Sequence, residues 1–280
     1  MRRPDATGKR GARALTDWDI VYVVLVYRNA GDLSDFLRSL SQNCPLRYRV
    51  VVVNSFCGET YRAETERISR ESGCDFLNVE NRGYGAGNNA GIAYARARYR
   101  FRWLAVCNPD TVLRRMPPDP ACGAGGVCGP DIRTRTGKRQ NPCMPLPGPV
   151  REKLLRRYAV GGGRAGFWGA VAINKAERIL FLWRYARSRH RVYALHGSFL
   201  VFSAAALEKL GEPFDPRMFL FREEDHLARR CRQLGIPMLY DPRIQVFHKE
   251  DGSLRLSDAN VEARTMESLR VYFGLGRTEK

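Results

Sequence analysis

The sequence predicts an α/β fold in which a mainly parallel central sheet is flanked by helices. Apolar, β-branched runs recur at Ile20 to Tyr27, Val50 to Val53, Phe76 to Val79 and Trp103 to Cys107. They are continuous rather than alternating, the pattern of strands covered on both faces. Segments of helical periodicity separate most of them, and strand–helix alternation at this spacing builds βαβ units.

The elements follow in order. Ile20 to Tyr27 is broken by Asn29-Ala30-Gly31-Asp32, after which Leu33, Phe36, Leu37 and Leu40 mark a helix over 33–42. A polar helix is predicted over 59–72. Gly83 to Gly91 reads as a glycine and asparagine turn that leads into a helix over 92–99. The strand ending at Cys107 is stopped by Asn108-Pro109-Asp110. In such sheets, right-handed crossovers bring the loops after parallel strands to one edge, where ligands bind. Those loops hold Tyr27 to Asn29, Asn54-Ser55 and Asn108 to Asp110.

Residues 114–150 are rich in Pro and Gly and read as loops with one short strand near 126–132. Residues 151–159 and 175–191 are basic and amphipathic. In the second, Ile179, Leu180, Trp183 and Ala186 make one apolar stripe, and Arg178, Arg184, Arg187, Arg189 and Arg191 supply charge. A helix packed on the domain with a solvated basic face accounts for this pattern. Contact with an anionic membrane or a lipid-phosphate acceptor is the functional alternative. Order returns with a strand at Phe199 to Phe202, helices over 204–210 and 223–234, and strands at 238–240 and 244–247 joined by a turn at Asp241-Pro242.

With 280 residues, 44% of them hydrophobic, the chain can bury a sizeable core. The formal net charge of +18 suggests anionic partners: nucleic acid, a membrane surface or phosphorylated substrates. The basic residues match no helix-turn-helix, RRM or zinc-finger pattern, so nucleic acid is not an expected partner, and a basic nucleic-acid-binding protein stands as a rival reading on charge alone. Eight cysteines are scattered without Cys-x-x-Cys spacing, which fits buried thiols in a reducing compartment. The basic start lacks the apolar core of a signal peptide, and no apolar run reaches the ~20 residues of a membrane span. The expected place is cytoplasmic, with peripheral contact at the inner membrane face left open.

Chemistry concentrates at a few positions. On the 223–234 helix, at about 100° per residue, Leu227, Ala228, Cys231 and Leu234 form one arc. Glu224 projects into the middle of that arc, Glu223 sits at its margin, and Asp225 points away with Arg229 and Arg232. An inward carboxylate is costly unless paired or used. Asp110, at a strand's carboxyl end, suits a divalent cation held against a diphosphate, although an Asx turn explains the segment alone. The run Asn81 to Asn89 resembles a phosphate-cradling glycine loop without matching a Walker or dinucleotide motif. His248 gains interest only if it lies near Asp110.

In order and spacing these segments resemble the family-2 nucleotide-sugar glycosyltransferases of GT-A fold, and look closest to rhamnosyl- and galactosyltransferases. The match covers about residues 19–135 and 195–253. It rests on Val-Leu-Val-Tyr-Arg-Asn (24–29), Val-Val-Val-Asn-Ser (51–55), the 81–92 run, Asn-Pro-Asp-Thr (108–111), His-Gly-Ser-Phe-Leu-Val-Phe-Ser (196–203), Phe-Leu-Phe-Arg-Glu-Glu-Asp (219–225), Tyr-Asp-Pro (240–242) and Phe-His-Lys-Glu-Asp-Gly-Ser (247–253).

The resemblance implies an inverting enzyme that moves a hexose from a UDP- or dTDP-sugar to an acceptor hydroxyl. It makes Glu224 the catalytic base. Val26, Tyr27, Asn29, Asn54, Asn81, Gly85, Asn88, Asn108 and Asp110 would border the donor. His196, Gly197 and Glu223 would stand on the acceptor side. Asp110 and His248 would hold Mg2+ or Mn2+. The acceptor would be a small molecule, a glycan or a lipid-linked sugar. One departure is Val53, where the family usually carries an acid before the asparagine. A GT-A protein that binds sugar nucleotides without catalysis is the rival this departure suggests. The expected organisation is a basic tail over 1–18, a nucleotide-sugar half over 19–135, a basic loop and helix insertion over 136–195 on the acceptor side, and a catalytic half over 196–280.

Overall fold

The computed structural model describes residues 16–250 and 258–275. Of the tail expected over residues 1–18, residues 1–15 lie outside the described residues, as does the end of the late block at 251–253, whereas Thr16 to Trp18 belong to the first strand and not to a tail.

The first half is the βαβ series the sequence predicts: β1 (Thr16–Val26), α1 (Ala30–Asn43), β2 (Tyr48–Phe56), α2 (Glu59–Glu71), β3 (Asp75–Glu80), α3 (Tyr84–Arg98) and β4 (Tyr99–Cys107). β1 lies parallel to both β2 and β4, and β2 parallel to β3. Val21, Val23, Val51, Val53, Leu104 and Val106 face one cluster with α3. Ile20, Tyr22, Val24, Val50, Val52, Ala105 and Cys107 face the other, with α1. Both faces are dry, which is why these runs show no polar alternation. Each fully buried Val or Leu contributes about 1.5–3 kcal/mol, so these strands carry much of the fold.

The second half contains β5 (Thr111–Arg115), β6 (Val127–Thr134), α4 (Pro149–Ala159), α5 (Arg164–Tyr185), β7 (His190–Arg191), β8 (Phe199–Ser203), α6 (Ala204–Leu210), α7 (Glu223–Gln233), β9 (Met238–His248) and α8 (Asp258–Tyr272). The sheet order is β3-β2-β1-β4-β8-β6-β9-β5, with β7 beside β9. β8 runs antiparallel to β4 and β6, β6 and β9 are parallel, and β5 and β7 are antiparallel to β9. The mainly parallel expectation therefore describes the first half and the β6–β9 pair, while β5, β7 and β8 add antiparallel pairings.

Four local expectations change. The glycine-rich 83–91 run is not a turn before a helix but, from Tyr84, the first turns of α3. Its glycines let the helix sit close to the sheet: a Cβ on Gly91 would lie 2.4 Å from Val23 and 2.7 Å from Val53. β5 extends over its last two residues into the stretch read as loop from 114, with Thr111 and Leu113 buried on alternate positions. β9 is continuous through Asp241-Pro242. The register with β6 shifts there, and the buried Asp241 carboxylate accepts from the Ala121 and Arg243 amides, so the segment is a bulge and not a turn.

The fourth concerns α5, which spans 164–185 rather than 175–191. Gly166 and Gly169 do not break it because they lie against Leu154 of α4. The helix packs through Ala170 and Phe181, whereas Ile179, Leu180 and Trp183, expected on the packed stripe, face outward.

Candidate active site

Because β1, β2 and β4 are parallel, their carboxyl ends open on one edge. The cleft there is lined by Leu25 and Tyr27 at the end of β1, Asn29 and Asp32 at α1, Ser55 of β2, Asn81, Gly83 and Tyr84, and Asn108 to Asp110 after β4. Phe219 and Leu220 close the far side. Among the residues expected at the donor, Tyr27, Asn29, Asn81, Asn108 and Asp110 thus share one cleft. Four others do not line it. Val26 is buried in the core and Leu25 takes its place on the lining. Asn54 points inside the sheet, donating from Nδ2 to Asn78 Oδ1 at 2.7 Å, and Ser55 reaches the cleft instead. Strand alternation explains both cases. Gly85 packs on the Phe214 side chain and the Asp215 carbonyl, and Asn88 donates to the Tyr84 carbonyl at 3.0 Å.

The sequence reading missed Asp32, Tyr84 and Gln140. Asp32 is buried and receives hydrogen bonds from Asn29 and, at 2.6 Å, from Lys249 Nζ. Burial works against the Lys249 ammonium, but the Asp32 and Asp35 carboxylates outweigh it and raise its pKa. The pairing is long-range, so no local pattern betrays it.

At the cleft floor, Asp110 and His248 are both buried and in contact: Nε2 lies 3.2 Å from Asp110 Oδ2. Nδ1 lies 2.7 Å from Gln140 Oε1, while Gln140 Nε2 donates to Glu250 at 2.9 Å. Glu250 fixes which end of the Gln140 amide meets the ring, so Nδ1 donates. Neutral His248 therefore turns an Nε2 lone pair toward a carboxylate. Two acceptors that close call for a cation, or a second ring proton, between them. An oriented imidazole with its other nitrogen donating outward is the usual arrangement of a metal-ligating histidine. Among the described residues no cluster of three or more His, Cys, Asp or Glu could hold a metal ion. The donor set thus fits an oxygen-seeking divalent cation that takes its remaining ligands from water and substrate phosphate.

The acidic end stands beside the cleft. Glu224 is half-buried, and its Oε1 accepts from the Gly197 amide at 3.1 Å. The Gly197 carbonyl accepts from Tyr84 Oη at 2.8 Å. The next carbonyl, Ser198 O, accepts from the Asn108 amide at 2.9 Å. Segment 196–198 thus ties α7, α3 and the end of β4 together. His196 sits in the same segment. Its Nδ1 accepts from the Ser198 amide at 3.2 Å, and its ring packs edge-on to His248 at 5.9 Å. Burial, then the neighbouring His248, pushes its pKa down to about 3, so it is neutral.

Glu223 and Asp225 are buried on either side of Glu224. Burial and the Glu224 charge push Glu223 up to about 8, and its Oε1 has no hydrogen-bond partner. Asp225 does not point away with Arg229 and Arg232 as helical phase predicts. It is ion-paired with Arg222 at 2.5 Å and faces Arg151, Tyr193 and Tyr272, because α7 is enclosed on a second side by residues from α4 and α8. Leu234, placed on the apolar arc, is 43% exposed beyond the helix end.

Backbone strain gathers at the same place. Among the described residues, the non-glycine positions with left-handed backbone are Arg28, Phe221, Arg222 and Glu250. Arg28 lies between Tyr27 and Asn29, Phe221 and Arg222 precede the acids, and Glu250 backs Gln140. Each costs of order 1–3 kcal/mol, and such strain clusters at working sites.

The architecture is similar in fold to that of solved GT-A glycosyltransferases. In particular, the chain is similar to GalNAc-T7 with UDP, GalNAc and Mn2+ (TM-score 0.55, 14% identity, 84% of this chain and 44% of that one). It is also similar to the mannosyltransferase PcManGT from Pyrobaculum calidifontis with GDP-Man and Mn2+ (TM-score 0.51, 14% identity, 89% and 61%). A third likeness is to S. aureus TarS 1–349 (TM-score 0.51, 14% identity, 93% and 73%). The chain thus spans less than two thirds of the first two proteins, and at these identities the likeness is one of fold. No protein-family model matches the chain, and no curated protein matches it in sequence.

Proposed function

We propose that the protein is a metal-dependent inverting glycosyltransferase that moves a hexose from a UDP- or dTDP-sugar to an acceptor hydroxyl. The observation that carries this reading is the 196–198 segment. It fixes Glu224 relative to the Asn108–Asp110 loop, so that a carboxylate and a candidate diphosphate site stand at opposite ends of one joint. The solved GT-A neighbours, two of them bound to a nucleotide or nucleotide sugar and Mn2+, support a nucleotide-sugar donor and a divalent cation.

Tyr27, Asn29, Asp32 and Ser55 would border the nucleoside, with Asp32 supplying an acid that Val53 does not. Asn81 and Asn108 would border the sugar and diphosphate. Asp110 and His248 would hold Mg2+ or Mn2+, with Gln140 orienting the ring, and the cation would offset charge on the departing diphosphate. Glu224 takes the proton as the acceptor O–H bond breaks and its oxygen bonds to the anomeric carbon. The bond to the diphosphate breaks on the opposite face, which inverts the centre. The Gly197 amide holds the carboxylate in place, Tyr84 fixes Gly197 through its carbonyl, and neutral His196 with Glu223 would flank the acceptor.

Glu224→Gln keeps the shape and loses the base, so kcat should fall about 100- to 10,000-fold with donor binding retained. The product's anomeric configuration by NMR tests inversion, and EDTA tests the cation. Near-normal turnover by Glu224→Gln would remove Glu224 from the mechanism.

A further inference from the structure

Helix α5 packs inward through Ala170 and Phe181 and presents a second apolar ridge to the outside. Trp168, Ile179, Leu180 and Trp183 are 58%, 61%, 66% and 81% exposed. Trp168, Ala172, Ala176, Ile179 and Trp183 recur at intervals of four, four, three and four, which is one helix stripe. At 1.5 Å per residue the stripe is roughly 22 Å long.

Asn174, Glu177 and Arg178 lie on other sides and are engaged. Arg178 donates to the Arg139 and Gln140 carbonyls, Asn174 to the Cys143 carbonyl, and Glu177 pairs with Arg151. A surface helix ordinarily turns polar residues outward on its unpacked side, and an exposed apolar ridge of this kind marks an interaction face.

Its charge surroundings select the occupant. Lys175 lies within the exposed face, and exposed Arg184, Arg187, Arg189 and Arg191 follow its carboxyl end. No acidic residue occurs between Glu177 and Glu208. A second copy of this chain seated on the ridge would bring two such arginine sets together. An anionic bilayer neutralises them, and tryptophan is the side chain that settles at the headgroup boundary. No helix among the described residues is long and apolar enough to cross a membrane, so the contact is one of docking.

We propose that α5 is a peripheral membrane-docking element, with its Trp168–Trp183 ridge lying at the headgroup boundary of an anionic bilayer and the following arginines on lipid phosphates. The inference does not rest on the glycosyltransferase reading.

Co-sedimentation of the full chain with phosphatidylcholine vesicles, with and without phosphatidylglycerol, tests it. Binding to the anionic vesicles should weaken at least about tenfold on pure phosphatidylcholine, in the double variant Ile179→Ser/Trp183→Ser, and in Arg184→Glu/Arg187→Glu. Both pairs are exposed, so unchanged melting curves would show intact folds. Absence of binding by the wild-type chain, or equal binding by the apolar double variant, would overturn the proposal. So would a dimer in sedimentation velocity that the apolar double variant dissolves, since the face would then belong to a second copy.

Discussion

Three adjacent acids at one helix start cannot all carry charge cheaply, and their surroundings sort them. Glu223 is buried beside Glu224 with one oxygen unpartnered, and it holds its proton up to about pH 8. Burial also raises Asp225, with the Arg222 charge opposing. Glu224 differs: it is half-buried and held by a main-chain amide. The sign of the Glu223 effect is fixed by linkage. Between the ordinary 4.5 and about 8, the folded chain keeps a proton that the unfolded chain releases. Stability from this group is full below 4.5 and is lost as pH rises through 8. Urea unfolding at several pH values should therefore show a decline over this window that Glu223→Gln reduces. An identical decline in both proteins would mean that Glu223 ionises freely. Helical phase singled out Glu224 but not its neighbours' burial, because one apolar arc on α7 says nothing of the second wall formed by Tyr193 and Tyr272.

At the scale of elements, the site depends on irregular pieces pressed against regular ones. Gly83 has a φ of +99°, and a Cβ there would stand 2.4 Å from the Phe219 carbonyl oxygen. The Tyr84 amide donates to that same carbonyl at 2.9 Å, so the start of α3 carries the strand of chain that leads into α7. Gly83→Ala should cost more than the roughly 1–3 kcal/mol of a left-handed backbone, because the contact is backbone and cannot yield. Gly137, at φ +77° with nothing within 4 Å, is the control, and its alanine variant should pay the backbone cost alone. Melting temperatures of the two variants decide it, and equal losses would show that the Phe219 contact is slack. The parallel strands were legible because both faces are dry, and so were the cleft loops that follow from them. The opening turns of α3 were not, since glycines that admit a neighbour look like glycines that make a turn. Nor was β5, whose short apolar stretch lies next to a Pro- and Gly-rich segment.

For the whole molecule, the cleft lies between the first βαβ half and the returning segments, and distant parts of the chain close it. Lys249 reaches back to Asp32 and Asp35 on α1, and Ser268 of α8 donates to the Leu220 carbonyl at 3.0 Å. A donor seated here would touch both sides and so stabilise the folded chain as a unit. At 100 times its dissociation constant, a ligand that binds only the folded state adds about 2.7 kcal/mol. For a domain of this size that is a rise of roughly 5 °C in melting temperature. UDP- or dTDP-sugars with Mn2+ should give such a rise, and GDP-sugars a smaller one. EDTA should reduce the rise, as should Asp110→Asn, which replaces the carboxylate facing His248 with a neutral amide. If the increment is the same with and without the cation, Asp110 and His248 do not join the donor through a metal. If GDP-sugars match or exceed the others, the pyrimidine assignment for the Tyr27, Asn29 and Asp32 end of the cleft is wrong, while the placement of Glu224 stands.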